Sequence, residues 1–484
     1  MKHDDGAHFT LSDRSDYHAA ATMRCLAFLS LPALGVIAAT SGMACGKGNA
    51  ATKSEPDPVA SASSSTAAAP SIEASGSAAL AIAGACAPLH PELPELPTMG
   101  DDAPIPPLEG GEALAPLYER LAHVLRGTAK DHVRIAVYGD SNGTMDFMTG
   151  EMRRVLQTKY GDAGHGFVAT GRPWNWYRHR YVRHDSMKDT WEPFTVTTKP
   201  VMDGFYGHAL IVGESLQAGA DTWVQTAEEG APIGTRASRF DIHFLKWWRG
   251  GPFDVKVDGQ LHSTIDTEAK KSEAGFARID VPDGPHKIDI VAKTYKKVRI
   301  FGVAVERELA KPSIQVDGLG VGSLNCLTML RDDAATNKAT LQRRHYDLVV
   351  FHIGSNTFVA GDLATCMKQV IARHREALPD VPVLIMTPPD FLEQFRPPKT
   401  ATWMVKVCES MRTMAKDNHA AFFDFRAAMG GDGSMGKFQD AGMTQGDYVH
   451  FNEKGGAYMG DRVVYALWKD FAAWLEKKPR AGCE

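Results

Sequence analysis

Ser141 sits in "RIAVYGDSNGTMDF", residues 134–147, where an apolar run stops abruptly at Gly-Asp-Ser-Asn. These four are ordinary turn residues, so the tetrapeptide alone fits a turn as well as a nucleophile. A serine nucleophile needs a base, a group that orients the base, and donors for a developing oxyanion. Asp447 and His450, in "GDYVHFNEKGG", supply a carboxylate and an imidazole three positions apart. At that spacing both lie on one side of a turn, where the carboxylate can hold the ring and stabilise its protonated form. Asn356 in "FHIGSNT" offers an amide donor, and Gly318, Gly320 and Gly322 of "VDGLGVGSLN" offer backbone N–H groups. Each piece is common as plain turn chemistry. Together they describe acyl transfer to an acceptor, a reaction that needs no metal.

Residues hundreds of positions apart meet only if the fold gathers them. "VRIAVYG" reads as a strand, and "MDFMTGEMRRVLQTKYG" spaces Met145, Met148, Met152 and Leu156 along one helix face ending at Gly161. Ser141 therefore falls between a strand and a helix. From about 200 to 306 short β-rich runs such as "DTWVQTA", "SRFDIHFLKWW" and "HKIDIVAK" follow one another, separated by "VDGQ" and "PDGPH". That pattern predicts an antiparallel sandwich inserted into another fold. Strands "YDLVVFHIG", "VPVLIMTPP" and "AAFFDF" then alternate with helices "ATCMKQVIARHREAL" and "MVKVCESMRTMAKDN", and a long helix closes the chain. Such alternation predicts an α/β fold whose parallel sheet is covered on both faces. Right-handed crossovers bring the strand ends to one edge, the usual place for a site.

GDS after the first strand, a glycine turn, G-x-N after a later strand and D-x-x-H near the end resemble the SGNH, or GDSL-type, serine hydrolases over about residues 130–470. The resemblance implies a flavodoxin-like three-layer α/β/α fold with no cofactor and no metal. It also implies roles: Ser141 attacks and its own N–H helps bind the oxyanion, His450 is the base, Asp447 orients it, and Gly322 and Asn356 complete the oxyanion hole. Three departures stand out. Asn142 occupies a position where Leu or His is common, Thr357 follows Asn356 where Asp or Glu is usual, and "GVGS" replaces "GVNG", so Ser323 is an alternative to Gly322 as donor. "YGDAGHGFV", "RIFGVAVE" and "FDFRAAMGGDGSMGKF" are similar to stretches of exported bacterial peptidoglycan O-acetylesterases, whose inserted β-sandwich is described as like a carbohydrate-binding module. The implied substrate is an O-acetylated cell-wall or other extracellular polysaccharide, peptidoglycan first. A polysaccharide O-acetyltransferase shares the acyl-enzyme and stays open, as does a non-catalytic glycan-binding surface lipoprotein.

Composition bounds the rest. The chain has 484 residues, 44% hydrophobic and 23% charged, with a net charge of −5, which gives no drive towards nucleic acid or anionic membranes. Its histidines form no HExxH or zinc-finger spacing. "MRCLAFLSLPALGVIAATSGMACGKGNA" reads as an export signal starting at Met23, after an upstream extension, and Cys45 is the candidate lipidated residue. A cleaved signal without lipid, or an anchoring helix, is the alternative. The expected location is the cell envelope or outside, and the membrane attachment expected is a possible lipid at Cys45. The expected division is signal to 45, a disordered Ala/Ser/Pro-rich linker over 46–111, hydrolase domain over 112–199 and 307–480, and insertion over 200–306. Beyond the signal lie Cys86, Cys326, Cys366, Cys408 and Cys483, an odd number in a disulfide-permissive compartment.

Two further features need placing. "RPWNWYRHRYVRH" sets Trp174, Trp176, Tyr177 and Tyr181 among Arg172, Arg178, Arg180 and Arg183. Aromatic faces with cations suit an acidic glycan, but packing between domains is the reading we favour. "SMGK", Ser434 to Lys437, matches S-x-x-K without its companion SDN and KTG motifs, and there is no G-x-S-x-G.

Overall fold

The computed structural model describes residues 87–100, 102–356 and 360–483. The signal, Cys45, Cys86 and Thr357 lie outside them. The fold begins with helix α1 (Ala115–Arg126), strand β1 (Val133–Gly139) and helix α2 (Phe147–Tyr160), the last ending at Gly161. Antiparallel strands follow: β2 (Gly166–Val168), β3 (Val182–Ser186), β4 (Glu192–Thr195), β5 (Ile211–Ser215), β6 (Asp221–Thr226) and β7 (Ala237–Lys246). They continue through β8 (Phe253–Val257), β9 (Gln260–Ile265), β10 (Glu273–Gly284), β11 (Lys287–Ala292) and β12 (Val298–Glu306). The α/β pattern resumes with β13 (Ile314–Gly320), α3 (Cys326–Met329), α4 (Ala334–Arg344), β14 (Leu348–His352), α5 (Ala360–Ala377) and β15 (Val383–Met386). A hairpin of β16 (Leu392–Phe395) and β17 (Pro398–Thr400) precedes α6 (Thr402–Asp417) and β18 (Ala421–Phe423). Helices α7 (Phe425–Met429), α8 (Ser434–Asp440) and α9 (Glu453–Lys477) complete the chain.

The parallel sheet runs β13-β1-β14-β15-β18. Counted along the chain this is the order 2-1-3-4-5, which reverses direction at β1 and opens a crevice beyond the strand ends there. β1 is buried throughout, and its side chains alternate between two cores. Ile135 and Val137 join Leu117, Met152 and Trp468 on one face, while Ala136 and Tyr138 join Phe351, Val370 and Met411 on the other. Helices therefore cover both faces, as the alternating sequence predicts.

The antiparallel strands form two sheets, β10-β7-β12-β5-β4 with β2 on β12, and β3-β6-β11-β8-β9. Phe240, Ile242, Val255 and Ile290 from the two sheets share one core, which makes the pair a sandwich. Three of its strands, β2 to β4, come before residue 200. The expected start of the insertion is therefore too late, because these short strands carry polar or proline residues and gain their order only by pairing with β12, β6 and β5. The end of the expected linker is also ordered. Leu108 is buried, Glu109 pairs with Phe422, and Tyr458 Oη donates to Asp102 at 2.6 Å, so side chains of the body tie down an extended Pro-rich stretch. No helix among the described residues is long and apolar enough to cross a membrane.

Candidate active site

Ser141 opens a single 3-10 turn, Ser141–Gly143, directly beyond β1. In the sheet register Gly139 faces Gly320 on one side and His352 on the other. Ser141, Gly322 and Asn356 thus follow the carboxyl ends of three adjacent parallel strands. Gly318 and Gly320 lie inside β13 and are not turn donors, which corrects the reading of "VDGLG" as a glycine turn. Their lack of a side chain serves close packing: a Cβ on Gly320 would fall 2.2 Å from the carbonyl carbon of Gly143, in the turn that carries Ser141.

The loop before α9 brings the other two groups. His450 Nε2 lies 2.8 Å from Ser141 Oγ, and His450 Nδ1 lies 2.6 Å from Asp447 Oδ2. The other oxygen of Asp447 accepts the N–H groups of Val449 and His450, each at 2.9 Å, so one carboxylate fixes both the ring and its peptide. Tyr448 takes the left-handed conformation that lets the loop close this tightly. Burial works against a charged His450, but the Asp447 hydrogen bond and the charges of Asp447 and Asp140 outweigh it and hold its pKa above the ordinary imidazole value. Burial likewise raises Asp447, and the bonds from His450 and Val449 overcome it and hold the carboxyl below its ordinary value. A hydroxyl, an imidazole and a carboxylate in this chain can pass the serine proton to the ring as an acyl group is attacked.

Two neighbours of Ser141 have structural work that the sequence did not suggest. Asn142 Nδ2 donates to Val449 O at 3.2 Å, and its Oδ1 accepts from Phe451 N at 2.9 Å, so it grips the peptides on either side of His450. Asp140 is buried, which raises its pKa, and it accepts from the Asn142 N–H and the Ser355 hydroxyl. Asn356 Nδ2 stands 3.5 Å from Asp140 Oδ2 and 3.4 Å from Leu324 O, between the residue before Ser141 and the residue two beyond Gly322. Among the described residues, neither the Ser141 nor the Gly322 backbone N–H has an acceptor, and Thr197 Oγ1 holds the Gly322 carbonyl at 2.8 Å. Cys326 and Cys366 form a disulfide with Cα atoms 5.7 Å apart, joining the helices that follow the Gly322 and Asn356 loops.

The aromatic segment is partly buried and partly exposed. Tyr177 is buried, Trp174 packs on Gly322, and Trp176 is 47% exposed. Asp146, His165 and His179 form a buried group of possible metal ligands. The Asp146 carboxylate there already receives Arg153 at 2.9 and 3.2 Å, the Thr149 hydroxyl and the Arg180 N–H, which makes it a clamp between the start of α2 and residue 180. Ser434 of the S-x-x-K match is wholly buried in α8.

Residues 294–458 match the model of the GDSL-like lipase/acylhydrolase family, a span that holds Gly322, Asn356, Asp447 and His450 and begins after Ser141. The chain carries a GDSL-type acylhydrolase domain. Among solved structures, one titled as a peptidoglycan O-acetylesterase in action superposes on this acylhydrolase with a TM-score of 0.63 at 22% identity, covering 75% of this chain and 99% of that one. That likeness shows the shared fold. A Bacillus subtilis protein of 12% identity (TM-score 0.30, 62% of this chain and 96% of that one) also matches. So does a family two carbohydrate esterase from Clostridium thermocellum at 10% identity (TM-score 0.26, 57% and 96%). No curated protein matches.

Proposed function

We propose that this acylhydrolase removes O-acetyl groups from a cell-wall or extracellular polysaccharide, peptidoglycan before others. One observation carries the reading: the unbroken chain from Ser141 Oγ through His450 to Asp447, with contacts of 2.8 and 2.6 Å. Ser141 attacks the acetyl carbonyl while His450 takes its proton, Asp447 stabilises the imidazolium, and the sugar hydroxyl leaves with that proton. Water, deprotonated in turn by His450, then releases acetate from the acyl-enzyme. The Ser141 and Gly322 N–H groups and the Asn356 amide receive the oxyanion, each donor being worth several kcal/mol in such sites. A glycan substrate is supported by the fold shared with a structure titled as a peptidoglycan O-acetylesterase. Export to the cell envelope, with or without a lipid at Cys45, belongs to the same reading.

The test is hydrolysis of a chromogenic acetyl ester, and of O-acetylated peptidoglycan, by the full chain. Ser141→Ala and His450→Ala should each lower turnover by ~10³-fold or more. Unchanged turnover in Ser141→Ala would overturn the assignment.

A further inference from the structure

Trp176 is a large aromatic side chain left 47% exposed. Its ring lies nearly parallel to Trp174, with centroids 6.4 Å apart and planes 15° apart. Trp174 in turn sits against Gly322, where a Cβ would come within 3.0 Å of the indole. The segment is held rigidly: Tyr177 N donates to Trp174 O at 3.0 Å, Tyr177 Oη bonds His179 at 3.0 Å, and Arg178 N reaches Thr144 O, three residues past Ser141. An indole held in place this way and 47% exposed has no packing role on its exposed side. Its chain neighbour Asn175 lines a cleft of about 520 Å³ with Arg172, Asp185, Lys188 and, on the sandwich, Trp191.

We propose that Trp176 is a stacking subsite for a sugar ring of the ester-bearing chain, and that the cleft beside it takes the neighbouring sugars. The proposal rests on the esterase reading above. A sugar ring presents an apolar C–H face and a rim of hydroxyls, so it matches an exposed indole bordered by charged and amide side chains. The Gly322 side of the nucleophile is then the side on which the polysaccharide lies, and the sandwich contributes a wall to the substrate path.

The experiment compares two substrates, a chromogenic acetyl ester and O-acetylated glycan strands, in wild type, Trp176→Ala and Trp176→Phe. Trp176→Ala should lower the ratio of kcat/KM for glycan over the small ester about tenfold, mainly through KM, and Trp176→Phe should restore most of it. Equal losses on both substrates would mean a structural role, and an unchanged ratio would mean no sugar contact; either overturns the subsite. A second measurement is independent of hydrolysis. In a Ser141→Ala background, binding of a β-1,4-linked N-acetylglucosamine tetramer, read by tryptophan fluorescence, should weaken about tenfold with Trp176→Ala. Binding of the tetramer in a chain that hydrolyses neither ester would leave the stacking site standing and sink the esterase reading instead, whereas no tetramer binding in an active esterase would sink the stacking site alone.

Discussion

In the proposed mechanism His450 must be neutral when Ser141 attacks, so activity should fall on the acid side as the ring protonates. The Asp447 hydrogen bond and charge hold its pKa above the ordinary imidazole value of about 6.5, against the opposing effect of burial. The acid limb of kcat/KM for a small acetyl ester should therefore have its midpoint above that value. Asp447→Asn removes the charge that favours the imidazolium and leaves burial, which disfavours it, so the limb should move to lower pH while kcat drops by ~10³-fold or more. A pH–rate profile checks both. A limb unmoved by Asp447→Asn would mean that another group sets it. The contact of Asp447 with His450 was readable in the sequence because the two lie three positions apart in one loop. Asn142 was not, since its bonds to Val449 and Phe451 cross more than 300 positions and nothing in "GDSN" announces them.

Strand–helix alternation gave the parallel sheet, because each apolar run there is buried on both faces and each helix shows its own period. It misjudged β13, whose "VDGLG" has the composition of a turn. The glycines of β13 are present because neither has room for a side chain: Gly318 lies against Asp146 and Thr149, and Gly320 against the Ser141 turn. Gly320→Ala would bring a Cβ to 2.2 and 2.3 Å from the carbonyl carbon and oxygen of Gly143, backbone atoms that cannot rotate away. We expect Gly320→Ala to destabilise the protein by about 1–3 kcal/mol, as overpacking of a tight core does. Turnover should fall further than stability alone accounts for, because the displaced turn carries Ser141. Thermal unfolding and kcat measured together separate the two effects, and a variant with wild-type stability and rate would show that β13 and the turn have slack. The strands β2 to β4 escaped prediction for a different reason: their order comes from partners further along the chain, β12, β6 and β5. The β16–β17 hairpin is local, but its strands are short and polar and carry Pro397 and Pro398 at the turn. That hairpin sets Phe395 against Tyr448, with centroids 4.7 Å apart, beside the His450 loop.

At the scale of the molecule, the sequence marks a sandwich interrupting an α/β fold but not how firmly the two are joined. The join is charged. Glu306, at the end of β12, accepts Arg134 of β1 at 2.9 Å and also binds Arg344 of α4 and Arg239 of β7. Arg344 continues to Asp317 of β13 at 2.7 Å, and Asp317 accepts from the Phe167 N–H of β2 and the Tyr346 hydroxyl. Burial alone would raise the Asp317 pKa, and Arg344 overrides it to hold the carboxyl below its ordinary range. Arg134, Arg344, Glu306 and Asp317 are all buried, so each charge depends on the others for the solvation that water no longer supplies. Glu306→Ala takes the carboxylate from three arginines at once and should cost about 3–5 kcal/mol, the range for stripping one partner from a buried pair. Glu306→Gln keeps acceptor capacity without the charge and should cost less. Because the network spans both sheets, wild type should lose far-UV circular dichroism and tryptophan fluorescence in one coincident transition. Two separated transitions in wild type would show that the sandwich folds as an independent module, and the network would then be an interface between domains instead of a shared core.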